Sequence, residues 1–172
     1  MPRPKKVLIV AGVARVGKST TIGKNAHSGL KASLRPVSGR YLFSHEGKGV
    51  CIFHGSCQEQ RDCPFCDFEA VNRCMDRKMR FAEKGGCSLL ITAFRIQRNR
   101  KGELNKLCIT EPIKKLRGEG VSVKLTYLPS ESAKGSEEIG RFMSSLGAEV
   151  IPRIGVREQV QRLWNIFLSF DP

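Results

Sequence analysis

The chain has 172 residues, of which 40% are hydrophobic and 27% charged; this balance excludes a disordered chain and suffices to close a core without disulfide staples, so one domain over residues 1–172 is expected. No apolar run reaches the length of a bilayer crossing, and the opening Met1-Pro2-Arg3-Pro4-Lys5-Lys6 leads only into a short apolar segment, so a soluble cytoplasmic protein is expected. The 30 Lys and Arg against 16 Asp and Glu give a formal charge of +14, which favours polyanionic partners, either nucleotide phosphates or nucleic acid.

The apolar run Val7-Leu8-Ile9-Val10-Ala11 reads as a buried strand, and it feeds directly into Gly12-Val13-Ala14-Arg15-Val16-Gly17-Lys18-Ser19 and then Thr20-Thr21. The pattern G-x-x-x-x-G-K-[ST] after a strand is a phosphate-binding loop motif. Its glycines let the backbone curl so that successive N–H groups point inward at a phosphate, from Gly12 to Thr20. Lys18 would bridge the terminal phosphates, the Ser19 hydroxyl would ligate Mg²⁺, and the helix that follows would add its positive end. A glycine-containing turn with an exposed lysine is the plain structural alternative.

A helix over residues 19–34 is expected next, weakened by Gly23 and Gly29. Two strands follow, over 37–43 and 49–54, separated by a turn at 44–48. Residues 63–85 predict a helix, with Phe68, Val71, Met75, Met79 and Ala82 near a 3.6-residue spacing and Gly85-Gly86 as its stop. From there the alternation is regular: a strand over 88–94, a helix over 104–116 that Pro112 would split or kink, a strand over 121–128, a helix over 136–146, and a strand over 148–154. A last helix spans 157–170, with Val160, Leu163, Trp164, Phe167 and Leu168 expected towards the core.

Strands alternating with helices, several of them apolar throughout, predict an α/β fold, a three-layer sandwich with a mainly parallel sheet. Ligands in such sheets sit beyond the carboxyl ends of the strands, which gathers residues 55–59, 95–100, 129–131 and 153–157 around Gly12. An acid is needed there to hold Mg²⁺ or polarise a nucleophile; Glu59 is the first candidate and Asp62 the second. Arg95, Arg98 and Arg100 follow the most apolar strand, and Arg95 or Arg98 would neutralise charge developing at a transferred phosphate. His54, at a strand end, would orient substrate or water, or simply be a hydrogen-bonded residue at the sheet rim.

Of the seven cysteines, Cys57, Cys63, Cys66 and Cys74 crowd into one segment within 51–74. Three readings stay open: four thiolates for Zn²⁺ or an iron–sulfur cluster, a redox C-x-x-C at Cys63-Pro64-Phe65-Cys66, or ordinary core packing. An odd cysteine count with no expected secretion signal argues against a disulfide framework.

The loop followed by repeated strand–helix units resembles the P-loop NTPase superfamily, with the sequence motif confined to residues 12–20. Small P-loop kinases are similar in length and in a basic region at strand ends. ParA and MinD type ATPases are similar in Val16-Gly17-Lys18-Ser19-Thr20-Thr21, but Val13, Ala14 and Arg15 stand where that branch carries its additional lysine. The resemblance implies ATP or GTP bound with Mg²⁺ and hydrolysis or γ-phosphoryl transfer. A nucleotide-switched module for nucleic acid or a partner protein, and a metal-stabilised binding module, are the alternatives.

Overall fold

The protein is described here by a computed structural model, which covers residues 3–13, 16, 18, 21–22, 40–45, 47–57, 67–131, 133–152 and 155–170. Among the described residues, six strands and four helices can be bounded, in chain order β1 (Lys6–Gly12), β2 (Arg40–His45), β3 (Lys48–Ser56), α1 (Phe68–Lys84), β4 (Cys87–Arg95), α2 (Leu107–Gly118), β5 (Ser122–Leu128), α3 (Ser136–Ser145), β6 (Glu149–Val150) and α4 (Val156–Ser169). The strands form one sheet in the order β2-β3-β4-β1-β5-β6, parallel throughout except for the β2–β3 hairpin at one edge.

β1 is the central strand, paired in parallel with β4 on one side and β5 on the other, and Val7 to Ala11 are all fully buried. Because side chains alternate along a strand, Val7, Ile9 and Ala11 face one layer and Leu8 and Val10 the other. The first layer is packed by α1, α2 and α3 through residues such as Met79, Ile113 and Phe142. The second is packed by α4 through Leu163, Ile166 and Phe167, together with Val16 and Ile22. Helices on both faces of a mainly parallel sheet make this an α/β sandwich, the class that near-continuous apolar strands require.

Several element boundaries differ from the sequence expectation, for identifiable reasons. The helix expected from residue 63 starts at Phe68, because Asp67 is extended (φ −69°, ψ 127°) and its carboxylate accepts from the Glu69 N–H at 2.9 Å as an N-cap. The helix expected from residue 104 starts at Leu107, because Leu104 forms a bridge with Arg98 in a tight excursion after β4. Pro112 does not split α2; it is buried on the helix's packed face, and that packing offsets the one hydrogen bond it removes. The last strand shortens to Glu149–Val150: the Ile151 N–H still donates to Tyr127 O, but Pro152 has no N–H with which to continue. On α4 the buried positions are Gln159, Leu163, Ile166 and Phe167, a face that turns Leu168 outward to 44% exposure. The turn expected at 44–48 is tighter, since β2 runs to His45 and β3 begins at Lys48. Of the helix expected over 19–34, Lys18, Thr21 and Ile22 are helical and residues 23–34 lie outside the described set. No helix among the described residues is long and apolar enough to cross a membrane.

Candidate functional site

β1 delivers Gly12 to the carboxyl edge of the sheet, in register with Arg95 at the end of β4 and Leu128 at the end of β5. The Gly12 carbonyl accepts from the Ile96 N–H at 2.9 Å, so the loop is tied to the sheet at its first residue. A side chain is excluded there. A Cβ at Gly12 would stand 2.6 Å from Val16 Cγ1, 3.1 Å from Leu128 O and 3.3 Å from Lys18 Cδ. The glycine is thus required by close approach: the chain turns back over itself so tightly that Val16 packs into the α4-side core.

Lys18 lies where this turn passes into helix and is only 4% exposed. Its Nζ donates to the Val13 carbonyl oxygen at 2.5 Å, folding the side chain back along the loop. A lysine buried over backbone oxygen, at the entrance to a helix whose next described residues Thr21 and Ile22 are buried, differs from the exposed lysine of an ordinary turn. Val13, Val16 and Lys18 therefore gather with Gly12 in one structure. Ala14, Arg15, Gly17, Ser19 and Thr20 lie outside the described residues.

Around the loop, β3 ends at Ser56, which is fully buried, after a register shift between Phe53 and Ser56 that bulges the strand at His54 and Gly55. Ser130, beyond β5, is buried as well. Arg95 stands on the strand next to the loop, as the register with Gly12 requires. Arg98 is engaged elsewhere. Its guanidinium meets Glu138 Oε2 at 2.7 Å and donates to the carbonyls of Gly102 at 2.8 Å and Lys134 at 3.2 Å. Glu59 and Asp62 lie outside the described residues, as do Cys63 and Cys66.

Part of the basic charge is spent in local pairs. Lys115 meets Asp76 at 2.6 Å, Lys114 meets Glu111 at 2.9 Å and Arg3 meets Glu119 at 2.9 Å. The Lys114 pair lies within α2, while the Lys115 and Arg3 pairs tie α2 to α1 and to the segment before β1, so part of the positive charge serves the packing of that layer.

A residue that sequence reasoning passed over is Lys78 on α1, which is 2% exposed. Its Nζ donates to Thr92 Oγ1 at 2.7 Å and to Gly55 O at 2.9 Å and lies 5.3 Å from the Phe53 ring centroid. The signal was present: Val71, Cys74, Met75, Lys78, Met79 and Ala82 share one helical stripe, and a cation in an apolar stripe marks a buried polar contact. Four of the seven cysteines pair up in the core. Cys57 and Cys74 share a side-chain hydrogen bond, which with burial pushes the Cys74 thiol up; Cys51 donates to Cys87 and holds that thiol below its ordinary value against the effect of burial. Among the described residues, no three metal-ligating side chains of the His, Cys, Asp or Glu type come together.

No family model and no curated protein sequence matches the chain. Among solved structures it is similar to a de novo designed P-loop fold protein determined by solution NMR, at 13% identity over 96% of this chain and 92% of that one, with a TM-score of 0.49. At that level of likeness no role passes from one chain to the other.

Proposed function

We propose that this protein binds ATP or GTP with Mg²⁺ at the loop from Gly12 to Thr20 and either hydrolyses the nucleotide or transfers its γ-phosphoryl group. The observation that carries the reading is the lysine: Lys18 is almost sealed from solvent and folded back onto Val13 O, in a turn that admits no side chain at Gly12. A buried ammonium held by a neutral carbonyl gains by exchanging it for an anionic phosphate oxygen, a charge-assisted bond roughly twice as strong. The loop amides and the following helix would supply the remaining donors, and Ser19 would hold Mg²⁺.

Catalysis at such a loop is positioning and charge stabilisation. Arg95 suits the neutralising role better than Arg98, because it stands beside Gly12 on the adjacent strand whereas Arg98 is bound to Glu138. Glu59 is the proposed acid, from the segment that follows β3. The net charge of +14 agrees with a phosphate-bearing ligand.

Turnover of Mg·ATP and Mg·GTP, with nucleotide loss and free phosphate followed together, tests this. Hydrolysis releases one phosphate per nucleotide consumed, whereas transfer consumes nucleotide with less free phosphate. Activity abolished in Lys18→Ala supports the reading. Activity equal in wild type and Lys18→Ala assigns it to a contaminant or another site. Binding without turnover would favour a nucleotide-switched module over an enzyme.

A further inference from the structure

The outer face of α1 carries Arg73, Arg77, Arg80 and Lys84, alternately four and three residues apart and all exposed. At about 100° and 1.5 Å per residue these positions fall within an arc of roughly 60° and extend over about 16 Å of helix. The arc lies opposite the buried stripe of Val71, Cys74, Met75, Met79 and Ala82, so it is the most outward line of the helix. The acids of α1, Glu69, Asp76 and Glu83, all fall to one side of it. Asp76 is engaged by Lys115 of α2 at 2.6 Å. Glu69 meets Arg73 at 3.8 Å with both side chains well exposed, at 64% and 65%, a pair of little strength.

Helix stability alone does not favour such a line. Arg73 and Arg77, Arg77 and Arg80, and Arg80 and Lys84 are like-charge neighbours at three- or four-residue spacing, and such neighbours destabilise a helix. The helix macrodipole favours a cation only near the C-terminal turn, where Lys84 stands. An anionic partner lying along the helix relieves the repulsion at all four positions.

We infer that this face of α1 binds double-stranded nucleic acid through its phosphate backbone, without reading its sequence. Three of the four cations are arginine, whose planar fork matches phosphate oxygens two at a time. A row of about 16 Å faces roughly five successive phosphates, at 3.4 Å of rise per nucleotide of one strand. The arc contains no aromatic residue on which an unpaired base could stack, which favours a duplex over a single strand. It contains no apolar residue to enter a lipid headgroup layer either, so an anionic membrane fits less well. α1 packs on the sheet face opposite α4, and the inference does not depend on the nucleotide reading.

The test is fluorescence anisotropy of a labelled mixed-sequence DNA duplex titrated with the full chain, without nucleotide, over a range of salt concentrations. Wild type should bind, with the logarithm of its affinity falling linearly with that of the salt concentration. A variant combining Arg73→Gln, Arg77→Gln, Arg80→Gln and Lys84→Gln, with unchanged circular dichroism, should bind at least tenfold more weakly, its salt slope reduced by about 3 to 4. If that variant does not fold, the four single substitutions replace it, each reducing the slope by about 1. A second variant removes equal charge from other exposed positions through Lys101→Gln, Lys106→Gln, Lys134→Gln and Arg162→Gln. It should stay within about threefold of wild type, since charges beyond a Debye length of the duplex are screened. No duplex binding by wild type, an unchanged salt slope in the α1 variants, or an equal loss in the second variant overturns the inference. Tighter binding to a single strand than to the duplex, or to phosphatidylserine vesicles and not to the duplex, overturns it in favour of that partner.

Discussion

Lys18 Nζ donates to Val13 O at 2.5 Å, so the loop fed by β1 is closed by the side chain that its motif assigns to phosphate. The lysine is held by the first turn of its own loop. Such pre-placement limits the side-chain entropy lost when a phosphate arrives, which for a free lysine is as much as about 2 kcal/mol.

Gly12→Ala tests the tightness of the turn. The new methyl would meet Val16 Cγ1 and the Leu128 carbonyl oxygen, one of them core and the other backbone. Overpacking of this kind costs about 1–3 kcal/mol, and moving Val16 would misdirect the loop amides. A lowered urea midpoint and at least tenfold weaker nucleotide binding are the expected results, read by unfolding and by calorimetric titration.

Arg98→Ala separates structure from catalysis. The ion pair with Glu138 and the two carbonyl contacts tie the turn after β4 to the turn before α3, where Gly135 has φ of 70° and a Cβ would run into the guanidinium. The pair is partly exposed, so its loss should cost only about 1 kcal/mol. Denaturant titration should show that loss, with a smaller one for Glu138→Gln, while turnover per folded molecule stays within about twofold of wild type, well under 1.4 kcal/mol in barrier. Arg95→Ala should instead lower turnover per folded molecule at least tenfold, about 1.4 kcal/mol in barrier.

Tyr127 sets an alkaline limit. Burial pushes its phenol above the ordinary value of about 10. The unfolded chain therefore gives up this proton first, so the stabilisation is complete below about pH 10 and is lost as pH rises through the folded group's value. The slope from one proton is at most about 1.4 kcal/mol per pH unit. Tyr127→Phe should flatten the decline of unfolding free energy between pH 9 and 11 by this contribution, measured by urea titration at each pH; an equal decline in both proteins would assign it to other groups, Cys74 among them.

The parts legible in sequence were those fixed by local pattern. The run from Val7 to Ala11 could only be a buried strand, and the alternation after Gly85 placed three helices and their strands to within a few residues. What the pattern missed depended on partners distant in sequence. Nothing near Arg98 announces Glu138, forty residues on, so the guanidinium looked free for chemistry. The helix start at Phe68 was set by a cap from Asp67 that the longer apolar period obscured. On α4 two overlapping stripes competed, and the sheet selected the one containing Ile166 and left Leu168 outside. Lys78 was passed over because a lysine is ordinarily assigned to solvent, although its place in the stripe of Cys74, Met75 and Met79 argued otherwise.

Equilibrium binding of Mg·ATP and Mg·GTP to wild type and to Lys18→Ala, each checked for folding by circular dichroism, tests the central claim most directly. Saturable binding of at least one nucleotide by wild type, weakened tenfold or more in the variant and thus by about 1.4 kcal/mol or more, is the predicted result. Equal affinity in the two proteins, or no binding of either nucleotide by wild type, would contradict it.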